Sequence, residues 1–211
     1  DKYFYLYNFW VQLRDNGQAL SERLRAIKEE VNGDDDAHKD LFNRYQSDIE
    51  TLEPFEQAVA FFILNKCSYS GLTENSTFSV QASRSNFSLV GIDKLPKYSY
   101  IIKNWKITNI DYAEVMNAPG EEVFVFLDPP YDTEFSTYDQ NEFTGNDQVR
   151  LANFLINQVN CKWMLVIKNT SFIYDLYKKP KINIGFFGKT YQVSFMNRND
   201  KNVEHLIITN Y

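Results

Sequence analysis

The chain has 211 residues, of which 16% are aromatic, and a formal net charge of −6 at pH 7. This length can bury a substantial core, and the many Phe and Tyr residues exclude intrinsic disorder. Two cysteines exclude a disulfide framework, and two histidines far apart argue against a metal site. No apolar run reaches membrane-spanning length and no secretory signal precedes the first helical pattern, so a cytoplasmic protein without a membrane partner is expected.

The first third of the chain shows helical periodicity. Apolar residues recur every three or four positions from Leu6 to Val31 with an interruption at 15–17, which predicts two helices or one kinked helix. A more polar helix is predicted from the acidic turn at 34–36 to about residue 50, and another follows Pro54. From Cys67 the period changes, and residues 77–89 predict a hairpin or an extended loop.

A basic segment with interspersed aromatic side chains follows. Residues 81–106 hold five cations against one acid, Asp93, a local net charge of +4 in an acidic chain. Cations that neutralise phosphates and aromatics that stack on bases are what a nucleic-acid surface needs, although a solvated rim with partly buried rings fits the same pattern. The candidate DNA-binding residues are Arg84, Lys94, Lys97, Lys103 and Lys106.

The second half alternates between strand and helix patterns. Strands are predicted at 105–110, 123–127 and 163–167, and helices at 113–116, from Asn146 or Asp147 as N-cap, and around 171–178. Residues 181–196 and 203–209 predict two antiparallel strands. This order predicts an α/β fold with a mostly parallel sheet and an antiparallel final strand.

The strongest chemical signal follows the apolar run 123–127. The run predicts a strand buried on both faces in the middle of the sheet, and Pro129 and Pro130 end it at the carboxyl edge, where open α/β sheets bind ligands. An exocyclic amine is a poor nucleophile because its lone pair is delocalised into the ring. The Asp128 carboxylate and the Pro129 carbonyl would accept its two N–H groups and direct the lone pair at an electrophile, while Tyr131 stacks on the base. An ordinary strand that ends in a proline turn with a capping aspartate also fits these residues.

The tetrapeptide Asp-Pro-Pro-Tyr at 128–131 resembles the signature of amino-group methyltransferases that act on nucleic acid. With it in view, the chain resembles the Dam-like family of DNA adenine-N6 methyltransferases over nearly its whole length. Three weaker matches occur in family order, at 1–9, 61–72 and 203–211. The resemblance implies a Rossmann-like sheet that binds S-adenosylmethionine, without a metal, and a target-recognition insertion.

The resemblance also implies a domain division and residue roles. The catalytic domain would comprise residues 1–10 and 105–211, and residues 11–104 would form a helical insertion with a hairpin. Asp1 would accept the ribose hydroxyls of the cofactor, while Asp111 and Tyr112 would line its adenine pocket; a helix cap and a strand-end turn are the plainer alternatives for the two acids. The implied catalytic residues are Asp128, Pro129, Pro130 and Tyr131, and the implied cofactor-binding residues are Asp1, Asp111, Tyr112 and Asp128.

The chain departs from the family pattern in two places. The glycine-rich cofactor loop of the family would precede Asp1 and is missing, so we expect this polypeptide alone to bind S-adenosylmethionine weakly. Many relatives also carry an arginine after the Gly-Leu pair, where this chain has Thr73 and Glu74 after Gly71 and Leu72.

Taken together, these patterns predict a site-specific DNA methyltransferase of restriction-modification or phage type. It would transfer a methyl group from S-adenosylmethionine to N6 of an adenine flipped out of double-stranded DNA. Two alternatives stay open: methylation of cytosine N4, or of an amine on RNA or protein, and a non-catalytic DNA-binding remnant. A monomer is the default expectation.

Overall fold

The computed structural model describes residues 1–31, 33–116, 120, 122–131, 143–190 and 202–211. The chain divides into two compact units, Asp1–Asp111 and Tyr112–Tyr211. Among the described residues, no helix combines the length and the apolar character that a membrane span needs. The predicted division into a catalytic domain and an insertion stays a prediction.

The first unit consists of helices and short 3-10 turns. The helices are α1 Phe4–Val31, α2 Asp35–Asp48, α3 Pro54–Cys67, α4 Val80–Asn86, α5 Leu89–Ile92 and α6 Leu95–Ile102. The turns are Ile49–Thr51, Tyr69–Gly71 and Thr73–Asn75. The three long helices predicted from periodicity are confirmed, and α1 is one kinked helix, with non-helical φ −131° and ψ 27° at Asn16.

Helix α3 lies at the centre of this unit. Every residue from Gln57 to Leu64 is buried, because α1, α2 and α4 all pack against α3. The buried side chain of Gln57 is satisfied because Nε2 donates to the carbonyl of Ile49 at 3.0 Å.

The hairpin or extended loop predicted over 77–89 is wrong, because residues 80–86 form a helix. The Ser79 side chain accepts a hydrogen bond from the backbone N–H of Ala82 and thereby begins α4. Extended pairing in this part of the described chain is an isolated bridge between Ser68 and Phe78. The ring of Phe87, fully buried, packs near Phe62. A local cap and a distant core contact therefore override the weak alternation.

The strand predicted at 105–110 is also absent from the described structure. The backbone N–H of Trp105 donates to the carbonyl of Ile102 at 2.8 Å, which continues the turn after α6. The carbonyl of Trp105 accepts a hydrogen bond from Nη1 of Arg14 at 3.0 Å. Because a turn and a side chain use these backbone groups, they are not part of a sheet ladder.

The second unit contains a mixed sheet and three helices among its described residues. The elements are α7 Tyr112–Val115, β1 Phe124–Leu127, α8 Gly145–Asn157, β2 Lys162–Lys168, α9 Ser171–Tyr177, β3 Asn183–Thr190 and β4 Asn202–Thr209. The strand order is β1-β2-β4-β3; β1 and β2 are parallel, and the other two pairings are antiparallel. The α/β class and the closing antiparallel pair are confirmed, whereas residues 191–201 lie outside the described part.

Two details of this unit differ from the prediction. Helix α8 has its N-cap at Thr144, two or three residues earlier than predicted, because Thr144 and Asp147 form a reciprocal capping box. Strand β1 lies at the edge of the described sheet, and Phe124 and Phe126 are 53% and 59% exposed rather than buried. An apolar run indicates that both faces of a strand are compatible with burial, but tertiary packing determines whether other elements cover them.

Helices α1 and α6 approach closely at Gly17. A Cβ added there would lie 2.3 Å from Cβ of Ser99, closer than atoms pack in a protein interior. The hydroxyl of Ser99 donates to the carbonyl of Arg14 at 3.1 Å. This contact therefore requires a residue without a side chain on α1.

We expect Gly17→Ala to destabilise the first unit. Overpacking costs about 1–3 kcal/mol, which exceeds the gain of up to about 1 kcal/mol that alanine has over glycine in a helix. Urea unfolding should show a lower midpoint for Gly17→Ala and recovery in Gly17→Ala/Ser99→Gly, where the colliding Cβ is removed, with Ser99→Gly alone as control. A midpoint unchanged by Gly17→Ala would contradict the close approach.

A lysine and a histidine share a hydrogen bond in the same unit. Nζ of Lys28 lies 2.9 Å from Nε2 of His38, and Nδ1 of His38 lies 2.8 Å from the carbonyl oxygen of Asp34. Because an ammonium group donates and a carbonyl accepts, Nε2 is the acceptor and the ring is neutral. Burial lowers the pKa of His38; the hydrogen bond to Asp34 opposes this, and the charge of Lys28 adds to it.

Acidification should therefore destabilise the first unit. An unfolded histidine titrates near about pH 6.5, so the stabilisation is present above that pH and is lost as the pH falls towards the lower pKa of the folded state. Between about pH 7.5 and about pH 5.5 the free energy of unfolding should fall more steeply in the wild type than in His38→Gln, by up to about 1.4 kcal/mol per pH unit. Urea unfolding at both pH values measures the two slopes, and equal slopes would refute the assignment.

Candidate active site

The proline turn after β1 stands at one edge of the sheet. Strands β1 and β2 run parallel with Leu127 opposite Leu165, so Asp128 lies on the same side as the carboxyl end of β2. The Asp128 side chain is exposed, and Pro129 and Tyr131 are half-buried. The structure thus places the tetrapeptide at the carboxyl edge of the parallel pair.

The carboxylate of Asp128 makes no hydrogen bond or ion pair with any part of the chain that the structure describes. A capping aspartate would accept a hydrogen bond from a backbone N–H two or three residues later, as Asp34 does for Asp36 and Ala37. The plainer alternative of a capping aspartate therefore does not fit. Asp128 is left able to accept hydrogen bonds from a ligand.

The carbonyl of Pro130 is bound by a buried side chain. Nε2 of Gln148, on α8, donates to this oxygen at 2.8 Å, and Gln148 is 0% exposed. Sequence reasoning missed Gln148. The available signal was its spacing: position 148 falls on the same helical face as the buried Leu151 and Leu155, where a polar residue is out of pattern.

Tyr131 adjoins a second residue that sequence reasoning missed. Its ring lies edge-on to the ring of His205, with centroids 5.4 Å apart, and His205 stacks on Phe187 at 5.2 Å. His205 is buried on β4, opposite Lys168 and Phe187 on the two neighbouring strands. The strand pairing therefore brings His205 to Tyr131 across 74 residues of sequence, which no local pattern reveals.

Tyr112 begins α7 and packs within the second unit. The guanidinium of Arg150 lies 4.9 Å from the centre of its ring, and Phe154 lies edge-on at 5.8 Å. A ligand that stacks on Tyr112 must therefore share the ring with Arg150. The predicted role of Tyr112 in an adenine pocket stays a prediction.

Asp1 and Asp111 are brought together within the first unit. Lys2 forms an ion pair with Asp111 at 3.0 Å, and Nδ2 of Asn109 donates to the carbonyl of Asp1 at 2.8 Å. One carboxylate oxygen of Asp1 accepts a hydrogen bond from the backbone N–H of Tyr3, just before α1. This hydrogen bond leaves the second carboxylate oxygen of Asp1 unused, and the predicted ribose contact of Asp1 stays a prediction.

The five candidate DNA-binding residues divide into two groups. Arg84 forms a forked ion pair with Asp35, which lowers the pKa of Asp35. The lysines are all exposed, on or beside α6, and form no ion pair within the described ranges: Lys94, Lys97, Lys103 and Lys106. Among these five candidates, the positive charge that is not paired with an acid of the described chain therefore lies around α6 rather than at Arg84.

Exposed apolar side chains accompany these lysines. Tyr100 and Trp105 are 70% and 56% exposed, and Nζ of Lys103 lies 4.5 Å from the centre of the Tyr100 ring.

No group of three His, Cys, Asp or Glu side chains that could hold a metal ion occurs in the described part of the chain. Burial raises the pKa of the Cys67 thiol to about 12, which leaves it uncharged and unreactive.

Comparison with known proteins bears on these arrangements directly. Residues 1–193 match the family model of the D12 class N6 adenine-specific DNA methyltransferases. The chain belongs to this family. The mixed sheet of its described residues, which has four strands, is consistent with a methyltransferase fold.

Curated relatives of the chain come from an archaeon, a virus and bacteria. It is 26% identical over 194 residues to the Type II methyltransferase M.MjaIII of Methanocaldococcus jannaschii, covering 85% of this chain and 63% of the relative. It is 28% identical over 167 residues to the Type II methyltransferase M.CviBI of Paramecium bursaria Chlorella virus NC1A, covering 73% and 61%. Identity to the DNA adenine methylase of Escherichia coli K12 is 26% over 156 residues, covering 69% and 54%. The chain thus spans about three fifths of the length of the first of these relatives.

Proposed function

We propose that the full-length protein transfers a methyl group from S-adenosylmethionine to N6 of an adenine flipped out of double-stranded DNA. The observation that carries this proposal is the exposed carboxylate of Asp128 at the carboxyl end of β1, which has no partner among the described residues, within a chain of the D12 class. The Type II names of two relatives support a restriction-modification or phage-type role. A cytoplasmic location and a monomeric state stay predictions.

The tetrapeptide holds the amino group of the base. Asp128 and the carbonyl of Pro129 accept the two N–H groups, which favours a tetrahedral nitrogen with an accessible lone pair. Proline suits this position because its fixed φ restricts the turn and its ring lacks an N–H that would compete. Tyr131 stacks on the base, an interaction worth about 1–3 kcal/mol.

S-adenosylmethionine, when bound, supplies the electrophilic methyl group, so the protein needs no nucleophilic side chain of its own. Asp1 is proposed to accept the ribose hydroxyls, to which a carboxylate oxygen not used by Tyr3 is suited. Asp111 and Tyr112 are proposed to contact the adenine of the cofactor. The contribution of the chain is alignment of the reactants, which can lower a barrier by about 7–11 kcal/mol.

Asp128→Ala in the full-length protein should reduce methyl transfer to less than about a tenth of the wild-type rate, a barrier increase above about 1.4 kcal/mol. The unfolding midpoint should stay unchanged, because the side chain is exposed and makes no hydrogen bond or ion pair with the described residues. Glu122→Ala removes another exposed acid, at the opposite end of β1, and serves as the matched control.

Transfer is measured by digesting the DNA product and identifying the modified nucleoside by mass spectrometry. N6-methyl-2′-deoxyadenosine lost in Asp128→Ala and retained in Glu122→Ala supports the proposal. Methylcytosine as the product, or a folded wild type without transfer to DNA, would reject it in favour of another acceptor or of a non-catalytic protein.

We also propose that the lysine-rich surface of α6, formed by Lys94, Lys97, Lys103 and Lys106, contacts DNA phosphates. Arg84 is proposed as a weaker contact because a phosphate must compete with Asp35. Tyr100 and Trp105, which are exposed beside the lysines, could stack their rings on a sugar or a base. The negative net charge of the chain opposes binding, so the affinity should depend strongly on salt.

Charge reversal of Lys94 and Lys97 to Glu should weaken binding to all duplexes alike. The plot of the logarithm of the binding constant against the logarithm of salt concentration should become less steep, by about 2. Lys39→Glu/Arg44→Glu changes the total charge equally, on exposed positions of α2, and is the control. Fluorescence anisotropy at several salt concentrations measures both. Equal weakening by the two double variants would show that total charge, rather than the α6 surface, determines affinity.

A further inference from the structure

The buried side chain of Gln148 connects α8 to the proline turn. A fully buried amide is costly unless it is hydrogen-bonded; here Nε2 donates to the carbonyl of Pro130, whereas Oε1 has no partner within the part of the chain that the structure describes. Because a carbonyl only accepts, chemistry determines which end of the amide faces Pro130. The bond joins positions 18 residues apart.

The helix end of this connection is held in place. The backbone N–H and the hydroxyl of Thr144 donate to Asp147 at 2.8 and 2.7 Å, which sets where α8 begins. One and two turns further on, Leu151 and Leu155 anchor α8 in the core. Gln148 therefore projects from a helix whose position is already determined at its start and along its inner face.

The turn leaves Gln148 one torsion to control. Peptide groups are planar, and the ring of Pro130 fixes φ of that residue. Between the carbonyl of Pro129 and the backbone of Tyr131, the remaining soft torsion is ψ of Pro130. A hydrogen bond to the Pro130 carbonyl restrains this torsion.

We propose that Gln148 is a positioning residue for methyl transfer, which sets the relation between the Pro129 carbonyl and Tyr131. This inference rests on the proposed function, in which Pro129 binds the amino group and Tyr131 stacks on the same base. Both contacts require a defined spacing across ψ of Pro130. Gln148 does not touch the base; it keeps two groups that do in a productive arrangement.

Gln148→Met in the full-length protein removes the donor at similar side-chain volume. The single-turnover rate of methyl transfer should fall on the order of 10- to 100-fold, as expected for a small misplacement of the reacting group, while KM for DNA and for cofactor changes little. Gln57→Met is the matched control. Gln57 is also a buried glutamine that donates to a backbone carbonyl, at 3.0 Å to Ile49 in the first unit, so it should lose stability without losing rate.

Gln148→Glu provides a readout that a purely structural role would not change. A carboxylate cannot donate to the Pro130 carbonyl, whereas a protonated carboxyl can, and burial favours the protonated form. The transfer rate of Gln148→Glu relative to wild type should therefore rise as the pH is lowered from about 8 to about 6. Gln148→Met should show a constant ratio over the same range.

The outcomes separate this inference from the proposed function. A wild-type protein that methylates adenine, together with a Gln148→Met variant of unchanged rate, overturns the positioning role alone. The positioning role would also be overturned if Gln148→Met and Gln57→Met lost transfer rate in the same proportion to their loss of stability. A folded wild type that does not methylate adenine in DNA rejects the proposed function first, and the positioning role with it.

Discussion

The second unit depends on two consecutive prolines at the end of β1. Neither residue has an N–H to donate to a neighbouring strand, so the chain must leave the sheet where Asp128 is still at its edge. The carbonyls of the turn remain available as acceptors. Gln148 binds that of Pro130, and no donor in the described ranges binds that of Pro129. Within the described structure, the carbonyl of Pro130 therefore has a structural hydrogen bond, whereas the carbonyl of Pro129 can accept one from a ligand.

Packing around this turn is firm on one side and open on the other. Tyr131 lies against His205, which stacks on Phe187, and Gln148 is fully buried. Asp128, by contrast, is exposed and unpartnered within the described structure. This arrangement can align a bound group, because packed side chains hold the turn in place while the carboxylate of Asp128 stays accessible.

The first unit is organised around a different constraint, the burial of α3. Helices α1, α2 and α4 surround it, and the glycine at position 17 lets α6 approach α1 closely. Helix α6 buries Leu95 and Ile102 and leaves its lysines and Tyr100 exposed. An acidic chain can present a basic surface in this way, because Asp93, the acid nearest to these lysines in sequence, is paired with Arg25.

Local chemistry was sufficient to predict much of this protein from its sequence. The long helices, the kink near Gly17, the helix start at the acidic turn 34–36 and the proline turn at 128–131 depend on neighbouring residues, whose periodicity, turn chemistry and missing N–H groups are visible in the sequence. The α/β class and the closing antiparallel pair followed from the order of such segments. The family resemblance, carried mainly by the tetrapeptide, was confirmed by the match over residues 1–193.

Only the tertiary structure decided features that depend on distant partners. Residues 80–86 became a helix because Phe87 is buried in the helical core, and β1 lies at the edge of the described sheet although its sequence suits a central strand. Arg84 is neutralised by Asp35, 49 residues earlier, and Gln148 reaches Pro130 across 18 residues. A local sequence pattern indicates which contacts a residue can make. Which of them forms, and with what free energy, depends on the partner that the fold brings within reach, and tertiary packing rather than the neighbouring sequence determines that partner.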